Sequence, residues 1–200
     1  MKKIGVAITA SSVLHLLLWS PAESQQGWAV ELRGNGAVPT REIGDDDLGA
    51  GFGFEGTVRY AFLPHLAAYA GWDWTRFSPD DSFAGSGMDF EETGYAFGLR
   101  FEHPFSGDLG AADTWAWWAR AGGTFDHLEI EDPDGELIAD TGSGVGWEVG
   151  TGLALALATG WSLTPGVRYR SLTRDVEIAT TTTTVELEYV AFEVGIVRLF

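Results

Sequence analysis

The chain has no cysteine. Disulfide staples and thiolate metal sites are therefore excluded, and packing and pairing alone must hold the fold. Beyond its first two dozen residues it also lacks any apolar run near the roughly 20 residues that a membrane-crossing helix needs. Positive charge is scarce. There are 12 Lys and Arg against 29 Asp and Glu, for a formal net charge of −17. That argues against nucleic acid and against anionic membrane surfaces as partners. Acidic chains can be disordered, but 45% hydrophobic residues, with nine Trp and 12 Phe, are too many for that state. No spacing of residues reads as a catalytic or metal motif.

What is present starts with an export signal. Met1-Lys2-Lys3 is a basic start, and Ile4 to Trp19 is mostly apolar, interrupted by Ser11, Ser12 and His15. Ser20-Pro21-Ala22-Glu23-Ser24 follows. This is the pattern of a secretory signal peptide over residues 1–24, cut after Ala22 or Ser24. Loss of Lys2, Lys3 and Glu23 moves the net charge from −17 to −18. Residues 25–200 fit one domain. An exported chain without a spanning helix enters a membrane only as a barrel.

The mature part divides into alternating runs of strand length. They cover Gly27–Gly34, Leu48–Phe62, Leu66–Phe77, Phe90–His103, Thr114–Ile130, Val145–Leu157, Trp161–Leu172 and Thr184–Phe200. In each, one parity is large and apolar; in the fourth run it is Tyr95, Phe97, Leu99 and Phe101. The other parity holds glycine, alanine and charges of both signs, as in Gly94, Ala96, Gly98, Arg100 and Glu102. A soluble lipocalin-like barrel would bury the large apolar set and show the polar one. A glycine-lined, charged interior instead suits a narrow barrel in lipid. Short connections at 62–65 and 158–160 alternate with long polar ones near 34–47, 78–89, 131–144 and 173–183, while 104–113 is longer than its side of the barrel would suggest. Aromatics collect at strand ends: Trp28, Tyr60, Phe101, Trp115 and Trp161 on the short-turn side, Trp74, Phe77, Phe90, Phe125, Trp147 and Tyr169 on the other. Two such girdles fit the two membrane interfaces.

The last eleven residues, Val190–Phe200, alternate apolar positions up to a terminal phenylalanine. This resembles the closing strand of small bacterial outer-membrane barrels of the OmpA-barrel, OmpX and opacity-protein type. Arg198 departs from that pattern, which has an apolar or aromatic residue third from the end; near the interface it can snorkel. The resemblance implies an all-β fold, a closed antiparallel up-and-down transmembrane barrel of about eight strands. It implies a monomer in the outer membrane, contacting lipid and lipopolysaccharide, with the C-terminal strand read by the barrel-assembly machinery. Nothing resembles an appended peptidoglycan-binding domain. The family is mostly non-enzymatic, with membrane-integrity or surface-interaction roles. Minor small-solute channels and lipid A-modifying enzymes are the alternatives on the same fold.

Parity places Glu31, Glu55, Asp73, Glu102, Asp126, Glu148 and Glu193 inside, with Arg33, Arg59, Arg100, Arg120, Arg168 and Arg170. The excess acid, including Asp45, Asp46, Asp47, Asp89, Glu91, Glu92 and Glu131, then lies in the loops. Counting up from the short-turn ends brings Glu193, Arg168, Arg33, Glu148 and Arg170 to similar heights. Charges confined in so narrow a lumen cost several kcal/mol each unless paired. An interior ion-pair network of those five residues is therefore expected, with no catalytic residue, metal or cofactor. Asp126-His127 is a weak candidate, because neighbours on a strand point to opposite faces. A lipid A deacylase pattern would need serine two positions after His127, where Glu129 stands. Glu131–Glu136 contains an Asp-x-Asp-Gly core but lacks the spaced ligands of a calcium loop; Pro133-Asp134-Gly135 is a turn signal in its own right.

Overall fold

The computed structural model describes residues 27–41, 48–79, 81–82, 85–106, 109, 114–178 and 181–200. The expected signal peptide and Asp45–Asp47 lie outside them. Among the described residues, eight long strands follow one another: β1 (Trp28–Pro39), β2 (Gly51–Leu63), β3 (Leu66–Phe77), β4 (Asp89–Pro104), β5 (Trp115–Glu131), β6 (Gly144–Ala158), β7 (Trp161–Ile178) and β8 (Thr181–Leu199). Each pairs antiparallel with the next, and β8 returns to β1 from Ala29↔Leu199 to Pro39↔Tyr189. The result is a closed up-and-down barrel with no long open edge. Among the described residues no helix is long and apolar enough to cross a membrane; the crossing elements are the strands.

Period-two alternation sets the two faces. On β2, Phe52, Phe54, Val58 and Tyr60 point out while Glu55, Thr57 and Arg59 are buried inside. On β4, Tyr95, Phe97 and Leu99 point out over buried Ala96 and Arg100. Cross-strand aromatic pairs knit the outer belt: Phe54 lies against Trp72 and Trp74, Trp28 against Tyr60, and Trp147 against Tyr169. At the end that holds the C-terminus, the turns at 62–65 and 158–160 are tight. The longer connection from β4 to β5 has a structural reason. Its Leu109 packs against Ala116, Trp118 and Ala154 at the lower mouth of the barrel.

Toward the opposite end the polarity of the wall reverses. The outward apolar belt stops near Trp74, Tyr95, Phe125, Tyr169 and Val190. Beyond it the outward positions are Arg76, Glu91, His127, Glu129 and Glu188. The inward positions there are Phe77, Phe90, Leu128, Ile130, Leu172, Leu187 and Tyr189, all buried in one apolar cluster with Leu48. Phe77 and Phe90, expected in the outer girdle, are thus interior residues. Above the lipid, water wets the outside, so apolar side chains turn inward as in any soluble barrel.

That extension also moves the expected strand limits. β1 runs through Gly34-Asn35-Gly36 to Pro39, and β7 runs on to Ile178, where loops were expected. A short strand, Leu137–Asp140, pairs with β5 at Glu129–Glu131, above the point where β6 begins at Gly144. Asp132 organises the turn before it. Its carboxylate accepts the backbone N–H groups of Asp134 (2.9 Å) and Glu136 (2.8 Å), and Gly135 takes a φ of +77°. The Asp-x-Asp-Gly core is therefore used as a turn.

Candidate functional site, a charged lumen

Glu55 is the hub of the lumen. It projects from β2 across the barrel and accepts two hydrogen bonds from Arg120 of β5 (2.7 and 2.9 Å) and one from Arg168 of β7. Arg33 of β1 lies 3.5 Å away. The five residues singled out in the sequence stand as follows. Arg33 is 3.1 Å from Glu193, and the Arg168 Nε is 3.5 Å from the same carboxylate. Arg168 and Arg170 reach Glu148 at 3.3 and 2.7 Å. All five are buried and joined in one network.

The network runs further than those five in both directions. Downward, Arg33 pairs with Glu31 (2.6 Å), which Arg100 approaches at 3.4 Å, and Arg59 and Arg100 meet Glu102 at 3.3 and 3.2 Å. Thr164 donates to Glu31 at 2.6 Å. Upward, Arg170 holds Asp73 and Glu92, and Tyr189 donates its hydroxyl to Glu92 at 2.8 Å. Glu92 was expected among the external acids. It is fully buried, because β4 keeps its alternation past the lipid and Glu92 falls on the inward parity. Above it Arg174 pairs with Asp126 and caps the carbonyls of Gly144 and Val145. Asp126 is thereby committed to Arg174, while His127 points out toward Glu129 at 3.3 Å. The two form no catalytic pair.

Aromatic rings fill what the charges leave. Trp118 lies between two guanidiniums, with Arg100 4.3 Å and Arg33 5.4 Å from its ring centre. Its room depends on glycine. A Cβ on Gly166 would lie 2.4 Å from the Trp118 ring, and one on Gly152 2.6 Å. Glycine in the facing strands thus admits the large ring. Tyr69 sits beneath Arg120 and donates to Glu148 at 2.8 Å.

On the outer rim, Glu91, Glu129 and Glu131 bring carboxylate oxygens within 4.8 Å of one another. These are the described residues best disposed toward a cation. Arg76 already stands among them, 3.0 Å from Glu91 and bonded to Asp89. Partial burial and the facing Glu91 raise the Glu131 pKa against the pull of Arg76.

A barrel of this shape has counterparts among solved structures. Neisserial surface protein A shares the fold with a TM-score of 0.60 and 18% identity, over 87% of this chain and 97% of that one. OprG from Pseudomonas aeruginosa, an outer-membrane protein, aligns with a TM-score of 0.56 and 12% identity, over 87% and 96%. The chain folds as an eight-stranded outer-membrane barrel. No family model matches it, and no curated protein matches it in sequence. At these identities the likeness is one of fold, so any role for this barrel rests on its own residues.

Proposed function

We propose that this barrel is a sealed, non-enzymatic outer-membrane protein that acts in membrane integrity or through the surface of its outer rim. The observation that carries the reading is the unbroken ion-pair lattice from Glu102 to Glu92, closed below by Leu109 on Trp118 and above by the apolar cluster. A through-pore would need a continuous water path, and among the described residues the ion-pair lattice and the apolar cluster cross the lumen above a cavity of about 180 Å³ at the lower mouth. Lipid and lipopolysaccharide surround it as a monomer in this proposal, and the assembly machinery reads its C-terminal strand. Single-channel recording in planar bilayers tests it. The wild-type protein is expected to be near silent, and a large, steady conductance would overturn the sealed reading in favour of a solute channel.

A further inference from the structure

Arg198 takes no part in the lumen. It points outward near the C-terminal end, on the belt that faces lipid. It is nevertheless held in place. Its guanidinium lies 5.2 Å from the Trp161 ring centre and 5.7 Å from that of Phe200, and Nη1 donates to the Thr159 carbonyl at 3.3 Å. Gly160, at a φ of +74°, leaves it room: a Cβ there would meet Nη1 at 2.6 Å. Nε is buried without a partner, and among the described residues no carboxylate pairs with this arginine. Arg198 is thus a fixed cation at the edge of the hydrocarbon belt.

A groove of about 590 Å³ opens on the same face and ends at Arg198 and Trp161. Leu32, Leu163, Val194 and Ile196 wall it, and Phe54 closes its upper end. Its depth comes from Gly34, which stands level with Val194 and Phe54 and has nothing within 4 Å of where a Cβ would be. From Arg198 to Val194 the strand advances four residues, roughly 14 Å at ~3.4 Å each. One leaflet of a ~30 Å hydrocarbon core is about 15 Å deep. Strand tilt of ~35–45° reduces that path to about 10 Å along the membrane normal, so the groove takes the headgroup-proximal part of one acyl chain. Arg198 sits where that lipid's phosphate would be, and Arg33 and Glu55 border the groove beside Gly34 with side chains buried on the lumen side.

We propose that this groove is a binding site for one glycerophospholipid of the periplasmic leaflet, its phosphate on Arg198 and one acyl chain laid over Gly34. A charge-assisted contact to phosphate fits a guanidinium fixed by two rings. The proposal does not rest on a sealed lumen, since the phosphate contact and the apolar walls lie on the outer face; of the lumen network only Arg33 and Glu55 border the groove, with their side chains buried.

Native mass spectrometry of the detergent-extracted barrel, loaded with phosphatidylglycerol, tests this. The wild type is expected to retain one lipid. Arg198→Gln and Gly34→Leu, one removing the charge and the other filling the groove, are each expected to lower the retained fraction at least tenfold. Arg76→Gln, on the outer rim, should retain lipid as the wild type does. Diacylglycerol, which has tails but no phosphate, should not be retained. Heat-modifiable gel mobility verifies that each variant is folded, and each of the two groove variants is decisive alone. Equal retention by a folded Arg198→Gln or Gly34→Leu, equal retention of diacylglycerol, or capture of lipopolysaccharide or a second barrel in place of phospholipid overturns the proposal.

Discussion

Within the lipid the wall of this barrel carries charge inside and hydrocarbon outside; beyond the lipid the same strands carry mainly hydrocarbon inside, around the buried Arg174–Asp126 pair, and charge outside. The change happens within a few residues. On β4, Tyr95 and Phe97 face out over Arg100, while six residues earlier Glu91 faces out over Phe90. On β5, Phe125 faces out and Asp126 in, and then Glu129 faces out and Ile130 in. Backbone pairing is continuous across the boundary. Only the solvent differs, so the side chains record where lipid ends and water begins. The two halves also hold together differently. The lower half depends on directional ion pairs that fail when one partner is lost; the upper half depends on non-directional burial that degrades gradually.

The largest expected effect tests the first half of that contrast. Glu55→Ala strands Arg120, Arg168 and Arg33 without their shared carboxylate. Breaking a buried pair by removing one partner costs about 3–5 kcal/mol, measurable as a shift in the urea midpoint of the barrel in detergent or lipid. Conductance should rise as water enters beside the orphaned guanidiniums. Glu193→Ala should do the same more weakly. Both Glu193 oxygens lie near Arg33 and Arg168, yet neither accepts a hydrogen bond of good geometry. If Glu193→Ala destabilises more than Glu55→Ala, the hub is wrongly placed.

Leu128→Ala tests the other half. Leu128 is fully buried in the upper cluster. A leucine truncated in a packed core costs roughly 2–5 kcal/mol, depending on how far the site collapses. The loss should appear as faster amide exchange in the strand segments above Tyr95 and Phe125, with conductance still near silent. A conductance rise as large as that of Glu55→Ala would mean that the upper cluster, not the ion-pair lattice, is the seal.

Much of this was legible in the sequence because alternation is a local property. Strand count, direction and the inward parity of Arg33, Glu55, Glu148, Arg168, Arg170 and Glu193 follow from period two alone. What alternation cannot supply is the polarity of each half. Glu92 and Phe90 obey the same period as Arg100 and Tyr95, and only the height of the lipid boundary shows that the apolar parity now points inward. Glycine misled in a similar way. Gly34-Asn35-Gly36 has the composition of a loop, yet closure against β2 and β8 keeps it in the sheet. The hub was harder still. Counting from the turns compares neighbouring strands, whereas Glu55 meets Arg120 and Arg168 across the lumen from strands that share no backbone pairing with β2. Arg198 was read as a lone interfacial cation; the groove beside it needs three dimensions to be seen.

At the junction of the two halves, Tyr189 belongs to both. Its ring packs against Phe77 in the upper cluster, and its hydroxyl donates to Glu92 in the lattice. Tyr189→Phe keeps the ring and removes one hydrogen bond to a buried carboxylate. The expected cost is about 1–3 kcal/mol, below that of Glu55→Ala because Arg170 still holds Glu92. A neutral outcome would place Glu92 in contact with water and lower the boundary between the halves.

The smallest effect comes from an ion pair of the same chemistry in the other solvent. Arg41 pairs with Glu186 and approaches Glu188 at 3.7 Å, near the upper end of β8. Arg41 and Glu186 are about half exposed, at 54% and 51%, whereas Arg168 and Glu55 stand at 0% and 1%. Water solvates each exposed ion nearly as well alone as in the pair, and salt screens what attraction remains. Arg41→Ala is therefore expected to shift stability by about 0–1 kcal/mol, and the shift should vanish in high salt. The buried lattice offers salt no access, so Glu55→Ala should cost the same at low and high ionic strength. A salt-dependent Glu55→Ala would show that water already reaches the lumen, and it would remove the distinction between the two halves at its physical root.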